Sequence, residues 1–242
     1  MPMKVFAVIA AAGSSERFGG AVPKQFREVC GRPLLSWTIS RFEAARSIDG
    51  IVVVASEDSL LHVSQHMLDP FDFSKVTKVV AGGETRRESV WNGLQALPVS
   101  TDFVAIHDGA RPLIKPADID RAVEVARQER AAIVAVKATD TVKHVKERFV
   151  LSTLDRDELY LAQTPQVFQY DLIMAAHKEA AAGDHPEHYT DDASIIEARG
   201  FKVKAVEPTG PNPKVTTRDD LALVEALLLR ESHEESPGRP RL

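Results

Sequence analysis

The chain of 242 residues holds a single cysteine, Cys30, so an intrachain disulfide is excluded. That usage fits a reducing compartment and predicts a cytoplasmic protein in which Cys30 is buried or incidental. Excess positive charge is also lacking: 30 Lys and Arg stand against 35 Asp and Glu, a net charge of −5. Neither a nucleic acid nor a membrane surface is expected as the main partner, although local basic sites for phosphates remain open. No apolar run approaches the ~18 residues of a membrane span. The opening MPMKVF has one lysine and passes straight into strand-like sequence, so no secretory signal is expected. His144, His177, His185 and His188 lack metal-ligand spacing, and no zinc site is expected. No G-x-S-x-G elbow occurs, and Ser89 lies in a helix start, which disfavours a serine hydrolase. Internal repeats and inter-domain linkers are missing too. One domain over residues 1–231 is expected, with a polar tail over 232–242 that frays or is disordered.

What is present is a β-α alternation. Val5 to Ala10 is an apolar run that reads as a buried strand. It ends in the small residues Ala11, Ala12, Gly13, Ser14 and Ser15, followed by Arg17 and Lys24. Exposed backbone N–H groups with two cations suit a polyphosphate. An ordinary strand-loop-helix connection with solvated charges is the plainer alternative. The dinucleotide fingerprint fails here for want of a second glycine, and a Walker A loop fails because Lys24 follows Pro23.

Further along, Leu34 to Phe42 is helical in spacing with Pro33 at its first position, and Ile51 to Ala55 is a strand. Ser56 is expected to cap a helix running to about Met67. Strands follow over Val76–Ala81, Phe103–Ile106 and Ala132–Val136, with helices from Arg86 and over Pro116–Arg130. This order predicts an α/β fold, a Rossmann-like, mostly parallel sheet flanked by helices. The loops at 11–24, 82–89 and 107–111 leave strand C-termini and are expected to face one crevice. At Thr139 the pattern changes. Residues 139–146 alternate, Glu147-Arg148 interrupts, and Phe149-Val150-Leu151 follows, a hairpin with two half-polar faces. It reads as a projecting arm packed on a second copy of the chain, or else as a hairpin folded back on its own domain. Leu159–Leu161 and Val167-Phe168 return to the sheet. Helices near 170–182 and 191–199, a strand over 201–206, a loop over 212–217 and a helix over 219–230 complete the reading.

Asp108, just after a buried strand, is placed to hold Mg²⁺, though strand-end aspartates are also common structural caps. Arg17, Lys24, Arg156 and Lys214 lie in expected loops or at the foot of the arm. Singly each reads as a surface charge; as a set beside glycine turns they suggest an anion site.

The ordered motifs A-A-G…R…P-K-Q-F, GG-E-x-R-x-x-S-V-x-N-G-L (from Gly82), I-H-D-G-A-R-P (from Ile106), A-T-D-T-V-K (from Ala138), L-D-R…Q-T-P-Q-x-F (from Leu154), T-D-D-A-S (from Thr190) and N-P-K-V-T-T (from Asn212) carry a family resemblance over roughly residues 4–228. The chain resembles the 2-C-methyl-D-erythritol 4-phosphate cytidylyltransferases of the non-mevalonate isoprenoid pathway. Ribitol-5-phosphate cytidylyltransferases share much of the pattern. The resemblance implies a nucleotide-diphospho-sugar-transferase-like fold and CTP bound with Mg²⁺. Ala11, Ala12, Gly13, Arg17 and Lys24 would meet its triphosphate. Gly83, Glu84 and Ser89 would meet the cytosine. Asp108 would meet the ribose and Mg²⁺ side, with Gly109 and Arg111 adjacent. It further implies a homodimer through an arm at about residues 139–160. Arg156 and Thr190 of the neighbouring subunit, together with Lys214 and Thr164, would hold methylerythritol phosphate. Ser15 stands where the family usually has a second glycine.

Overall fold

Buried apolar runs form the strands, and the helices between them cover both faces of one sheet. In chain order these are β1 (Val5–Ala10), a small ribbon of β2 (Glu28–Val29) and β3 (Arg32–Pro33), α1 (Leu34–Ala44), β4 (Gly50–Ala55), α2 (Leu60–His62), β5 (Val76–Ala81), α3 (Arg86–Gln95), β6 (Phe103–Asp108), α4 (Pro116–Glu129) and β7 (Ala131–Lys137). Then come β8 (Lys143–Lys146), β9 (Phe149–Thr153), β10 (Tyr160–Gln169), α5 (Tyr170–Ala182), α6 (Asp192–Ala198), β11 (Lys204–Val206) and α7 (Arg218–Glu234). The computed structural model describes residues 3–13, 18, 23–182 and 189–234.

The sheet has seven strands in the order β11-β7-β10-β6-β1-β4-β5. β1 pairs parallel with both β4 and β6. β10 is antiparallel to β6 and β7, so the sheet is mostly parallel, as expected. Alternating residues of β1 enter two cores. Val5, Ala7 and Ile9 pack with Leu35, Ile39 and Phe42 of α1 and Ile119 of α4. Phe6 and Val8 pack with Val90 and Leu94 of α3, Ile173 of α5 and Ile195 of α6.

Several boundaries differ from expectation, each for a local reason. β6 runs two residues further, because His107 and Asp108 pair with Ile9 and Ala10 of β1. Asp108 is therefore the last strand residue rather than the first loop residue. Pro33 is the N-cap of α1 rather than its first turn. The helix expected after Ser56 is broken into a 3₁₀ turn (Glu57–Ser59), α2 and a π-turn (Val63–Leu68). The Ser56 hydroxyl donates to Ser59 Oγ at 2.7 Å instead of capping backbone N–H groups. The last strand is confined to Lys204–Val206. Ser232 to Glu234 belong to α7, so the expected tail does not begin at Ser232; residues 235–242 lie outside the described residues.

The hairpin forms as read. β8 and β9 pair only with each other, around a turn with Glu147 and Arg148 both at positive φ. Every residue of both strands is exposed, and Phe149 keeps 75% of its surface accessible. The arm does not fold back onto its own domain. No helix among the described residues is long and apolar enough to cross a membrane.

Candidate active site

The C-terminal ends of β1, β5 and β6 open into a cavity of about 650 Å³, within the usual size range of small-molecule sites. Its wall includes Ala11, Ala12, Gly13 and Lys24 from the first loop, and Gly83, Glu84 and Ser89 from the second. Asp108 and Gly109 come from the third loop, and Lys214 from the 212–217 loop. The three loops thus share one crevice, as the β-α order predicted. Arg17 and Ser15 lie outside the described residues.

Each loop is held by local chemistry. The buried Gln25 donates from Nε2 to Ala11 O (2.9 Å) and Gly13 O (3.3 Å), tying the first loop to the short helix that begins at Lys24. Thr85 and Glu88 cap α3 reciprocally. Gly83 N donates to Ser89 Oγ at 3.1 Å, and Ser89 Oγ donates to Thr85 O at 3.0 Å. The Ser89 hydroxyl therefore shapes the glycine turn, whatever else it meets. Gly82 is needed because a Cβ there would lie 2.5 Å from Ala12 Cβ and 2.6 Å from Ser89 Oγ.

Asp108 is the electrostatic centre. Its Oδ1 accepts from Arg86 Nε at 3.2 Å; its Oδ2 accepts from Lys214 Nζ at 2.9 Å and Arg111 Nε at 3.3 Å. Burial opposes ionisation of Asp108, yet Arg86, Lys214 and Arg111 together hold its carboxyl well below the usual carboxylate range. It is charged at any physiological pH. Around it, an acidic chain concentrates positive field where an anion would enter.

Behind Asp108 sits a buried relay whose proton directions can be assigned. The Asp108 backbone N–H donates to Thr164 Oγ1 at 3.1 Å. Thr164 Oγ1 lies 3.0 Å from His107 Nδ1, and His107 Nε2 lies 3.1 Å from Arg111 O. A carbonyl only accepts, so Nε2 carries the proton and Nδ1 accepts from the Thr164 hydroxyl. Burial pulls the imidazole down to about 4, so it is neutral. Thr164, expected among acceptor-binding residues, uses its hydroxyl to join His107 to the Asp108 backbone. The residue is 4% exposed and lies on the wall of a second cavity.

A second cavity of about 280 Å³ adjoins the first and is lined by Arg86, Asp108, Arg111, Gln163, Thr190 and Lys214, among others. Thr190 was expected from a neighbouring subunit; it lies on this chain's own cavity, because the start of α6 packs beside β10. Arg156 lines neither cavity. It is exposed at the foot of the arm, where Nη1 donates to Thr139 O at 3.1 Å. Arg86 was missed as a site residue, although it stands inside the GG-E-x-R motif.

A magnesium ion takes hard oxygen ligands and is usually held by one or two carboxylates together with phosphates and water. Asp108 offers one such carboxylate at the boundary of both cavities. Among the described residues, no cluster of three or more His, Cys, Asp or Glu side chains could hold a metal ion. The donor set fits a cation shared with substrate phosphates and does not fit a cage built by the protein alone.

Comparison with known proteins agrees with this geometry. The family model for 2-C-methyl-D-erythritol 4-phosphate cytidylyltransferase matches residues 5–230. A protein of that description from Geotalea uraniireducens is 44% identical over 228 residues, covering 93% of this chain and 97% of the relative. One from Syntrophotalea carbinolica is 45% identical over 227 residues, with coverage of 93% and 97%. Among solved structures, 4-diphosphocytidyl-2C-methyl-D-erythritol synthase from Anaerococcus prevotii superimposes with a TM-score of 0.83 at 31% identity, covering 94% of this chain and 96% of that one. The cytidylyltransferase of Francisella tularensis gives 0.76 at 31% identity, covering 92% and 99%. The chain belongs to the 2-C-methyl-D-erythritol 4-phosphate cytidylyltransferase family.

Proposed function

We propose that the protein transfers the cytidylyl group of CTP to 2-C-methyl-D-erythritol 4-phosphate, releasing pyrophosphate and forming 4-diphosphocytidyl-2-C-methyl-D-erythritol for isoprenoid synthesis. The observation that carries this reading is the meeting of two cavities, one large enough for a nucleotide and one smaller, at Asp108, Arg86 and Lys214. A single domain over about residues 1–231 does the chemistry, in the cytoplasm, as the lone cysteine suggests.

The acceptor phosphate oxygen attacks the α-phosphorus of CTP in line, and pyrophosphate leaves from the opposite side. A phosphate monoester is already a nucleophile near neutral pH, so no general base is needed. What opposes reaction is repulsion between two anions and the charge that builds on the α-phosphoryl and leaving oxygens. Ala11, Ala12 and Gly13 present backbone to the triphosphate, and Arg17 and Lys24 neutralise its charge. Gly83, Glu84 and Ser89 form the base-binding wall, and Gly109 lets the nucleotide approach the β6 end. Lys214, Arg111 and Thr190 receive the acceptor. Asp108 would hold Mg²⁺, whose chemistry here is to neutralise and orient phosphate oxygens. A second copy of the chain docks on the arm, since Val145, Phe149, Val150 and Leu151 are too apolar to stay in water. That docking brings Arg156 to the partner's acceptor site.

Pyrophosphate release tests the reading, with CTP, Mg²⁺ and either methylerythritol phosphate or ribitol 5-phosphate. Release with the first acceptor is expected. Preference for ribitol phosphate would move the protein to polyol-nucleotide synthesis, and CTP binding without release from either would make it a sensor.

A further inference from the structure

Arg86 is a charged motif residue that the roles above leave without a task. Arg86 opens α3, and its guanidinium stands between two carboxylates. Nε donates to Asp108 Oδ1 at 3.2 Å and Nη1 donates to Asp192 Oδ2 at 2.8 Å. Asp192 is 1% exposed and lines neither cavity. Its other oxygen lies 3.4 Å from the buried Nε2 of His177, whose ring stacks on Trp91 with centroids 6.1 Å apart. The α6 turn carrying Asp192 is fixed in turn by Gln166 of β10. Gln166 accepts from Ala193 N at 2.9 Å and donates to Asp191 Oδ2 at 2.7 Å.

Burying a carboxylate so completely is costly unless a cation pairs with it. A pair serving structure alone would be sealed together. Arg86 instead keeps 32% of its side chain accessible. Among the described residues, it is one of three, with Asp108 and Lys214, that line both cavities. Neither of its two hydrogen bonds to carboxylates uses Nη2, so the planar fork has a donor nitrogen left for an anion. Lysines 24 and 214 are point charges on flexible stems. Arg86 is clamped from two sides, so it stabilises developing charge without reorganising.

We infer that Arg86 contacts the α-phosphoryl group at the junction of the two cavities and that Asp192, backed by His177, is its positioning residue. The inference rests on the transfer reaction proposed above.

Arg86→Gln, Arg86→Lys, Asp192→Asn and the double variant Arg86→Gln/Asp192→Asn test it by steady-state pyrophosphate release. Calorimetric binding of CMP, whose one phosphate takes the α position, gives a readout independent of turnover. Arg86→Gln is expected to lower kcat by about 10²–10³, the loss typical of one preorganised donor. Its KM for CTP should move much less, and CMP should bind about tenfold more weakly. Asp192→Asn keeps the shape and should lower kcat by about tenfold without further effect in the double variant. If Arg86→Gln does not fold, Arg86→Lys, which keeps the charge but loses the fork, should still lose at least about tenfold in kcat. Folded Arg86 variants that turn over and bind CMP like wild type would overturn the inference, as would strictly additive losses in the double variant. Wild type that binds CMP through Arg86 yet never releases pyrophosphate would instead sink the transfer reading and leave the phosphate contact standing.

Discussion

Acidification isolates the His107 relay. The imidazole is fully buried against Phe42, with a hydroxyl donating to one nitrogen and a carbonyl accepting from the other. Burial lowers its pKa from 6.5 to about 4 in the folded protein. Between those values the unfolded chain binds a proton that the folded chain does not, so stability rises with pH across the window. The contribution is complete above pH 6.5, is lost as pH falls toward about 4, and changes no further below that. At about 1.4 kcal/mol per pH unit, the interval amounts to roughly 3 kcal/mol, a large share of a typical domain's stability. Asp108 and Asp192 are held below the ordinary carboxylate value of 3.8, so their own losses fall at lower pH. The assay is urea unfolding of wild type and His107→Gln at pH 7, 6, 5 and 4.5, at one protein concentration. The amide variant should start less stable, having lost packing against Phe42, and should then lose about 2 kcal/mol less than wild type between pH 7 and 4.5. Parallel pH profiles for the two proteins would refute both the assigned tautomer and the neutral, buried imidazole.

Lys24→Ala and Arg17→Ala should each lower kcat by about 10²–10³ in the pyrophosphate assay, and near-normal turnover would remove the residue from the reaction. Gly82→Ala sets a Cβ 2.5 Å from Ala12 and 2.6 Å from the Ser89 hydroxyl. It should cut kcat/KM for CTP at least about tenfold, a loss of roughly 1.4 kcal/mol, with little change in Tm. Gly93→Ala sets a Cβ 2.5 Å from Val8 Cγ1 and 2.8 Å from Val54 Cγ2, both in the sheet centre. Overpacking of about 1–3 kcal/mol outweighs the ~1 kcal/mol gain in helix propensity, so the urea midpoint should fall. Replacing residues 141–153 with a short Gly/Ser loop should convert a sedimenting dimer to a monomer and abolish turnover; a wild-type monomer with full activity would refute the composite site.

The sheet was readable from the sequence because its strands are near-continuous apolar runs, which parallel pairing buries on both faces. The crevice followed from β-α order alone. The hairpin showed itself because its alternation broke that order. Partners distant in sequence were not readable. Arg86 meets Asp108 across 22 positions and Asp192 across 106, and no local pattern announces either meeting. The contact of the Thr164 hydroxyl with His107, 57 positions away, was hidden for a related reason: only the folded chain brings the two together. After Ser56, propensity suggested one helix, but the serine pairs with Ser59 and the turn geometry changes twice before Leu68. Arg156 stands apart from both cavities, exposed at the foot of the arm, and no local pattern foretold that separation.

β10 links regions that were described separately. It leaves the arm at the exposed Tyr160, breaks register between Ala162 and Gln166, and ends buried beside Phe168. Within that break lies Thr164, the support of Asp108, and at its end Gln166, the support of the turn that carries Asp192. Ten residues thus join the exposed arm to the supports of Asp108 and of the Asp192 turn. On the proposal that a second copy docks on the arm, turnover per subunit should rise with protein concentration, because the docked strand is the one that carries both supports.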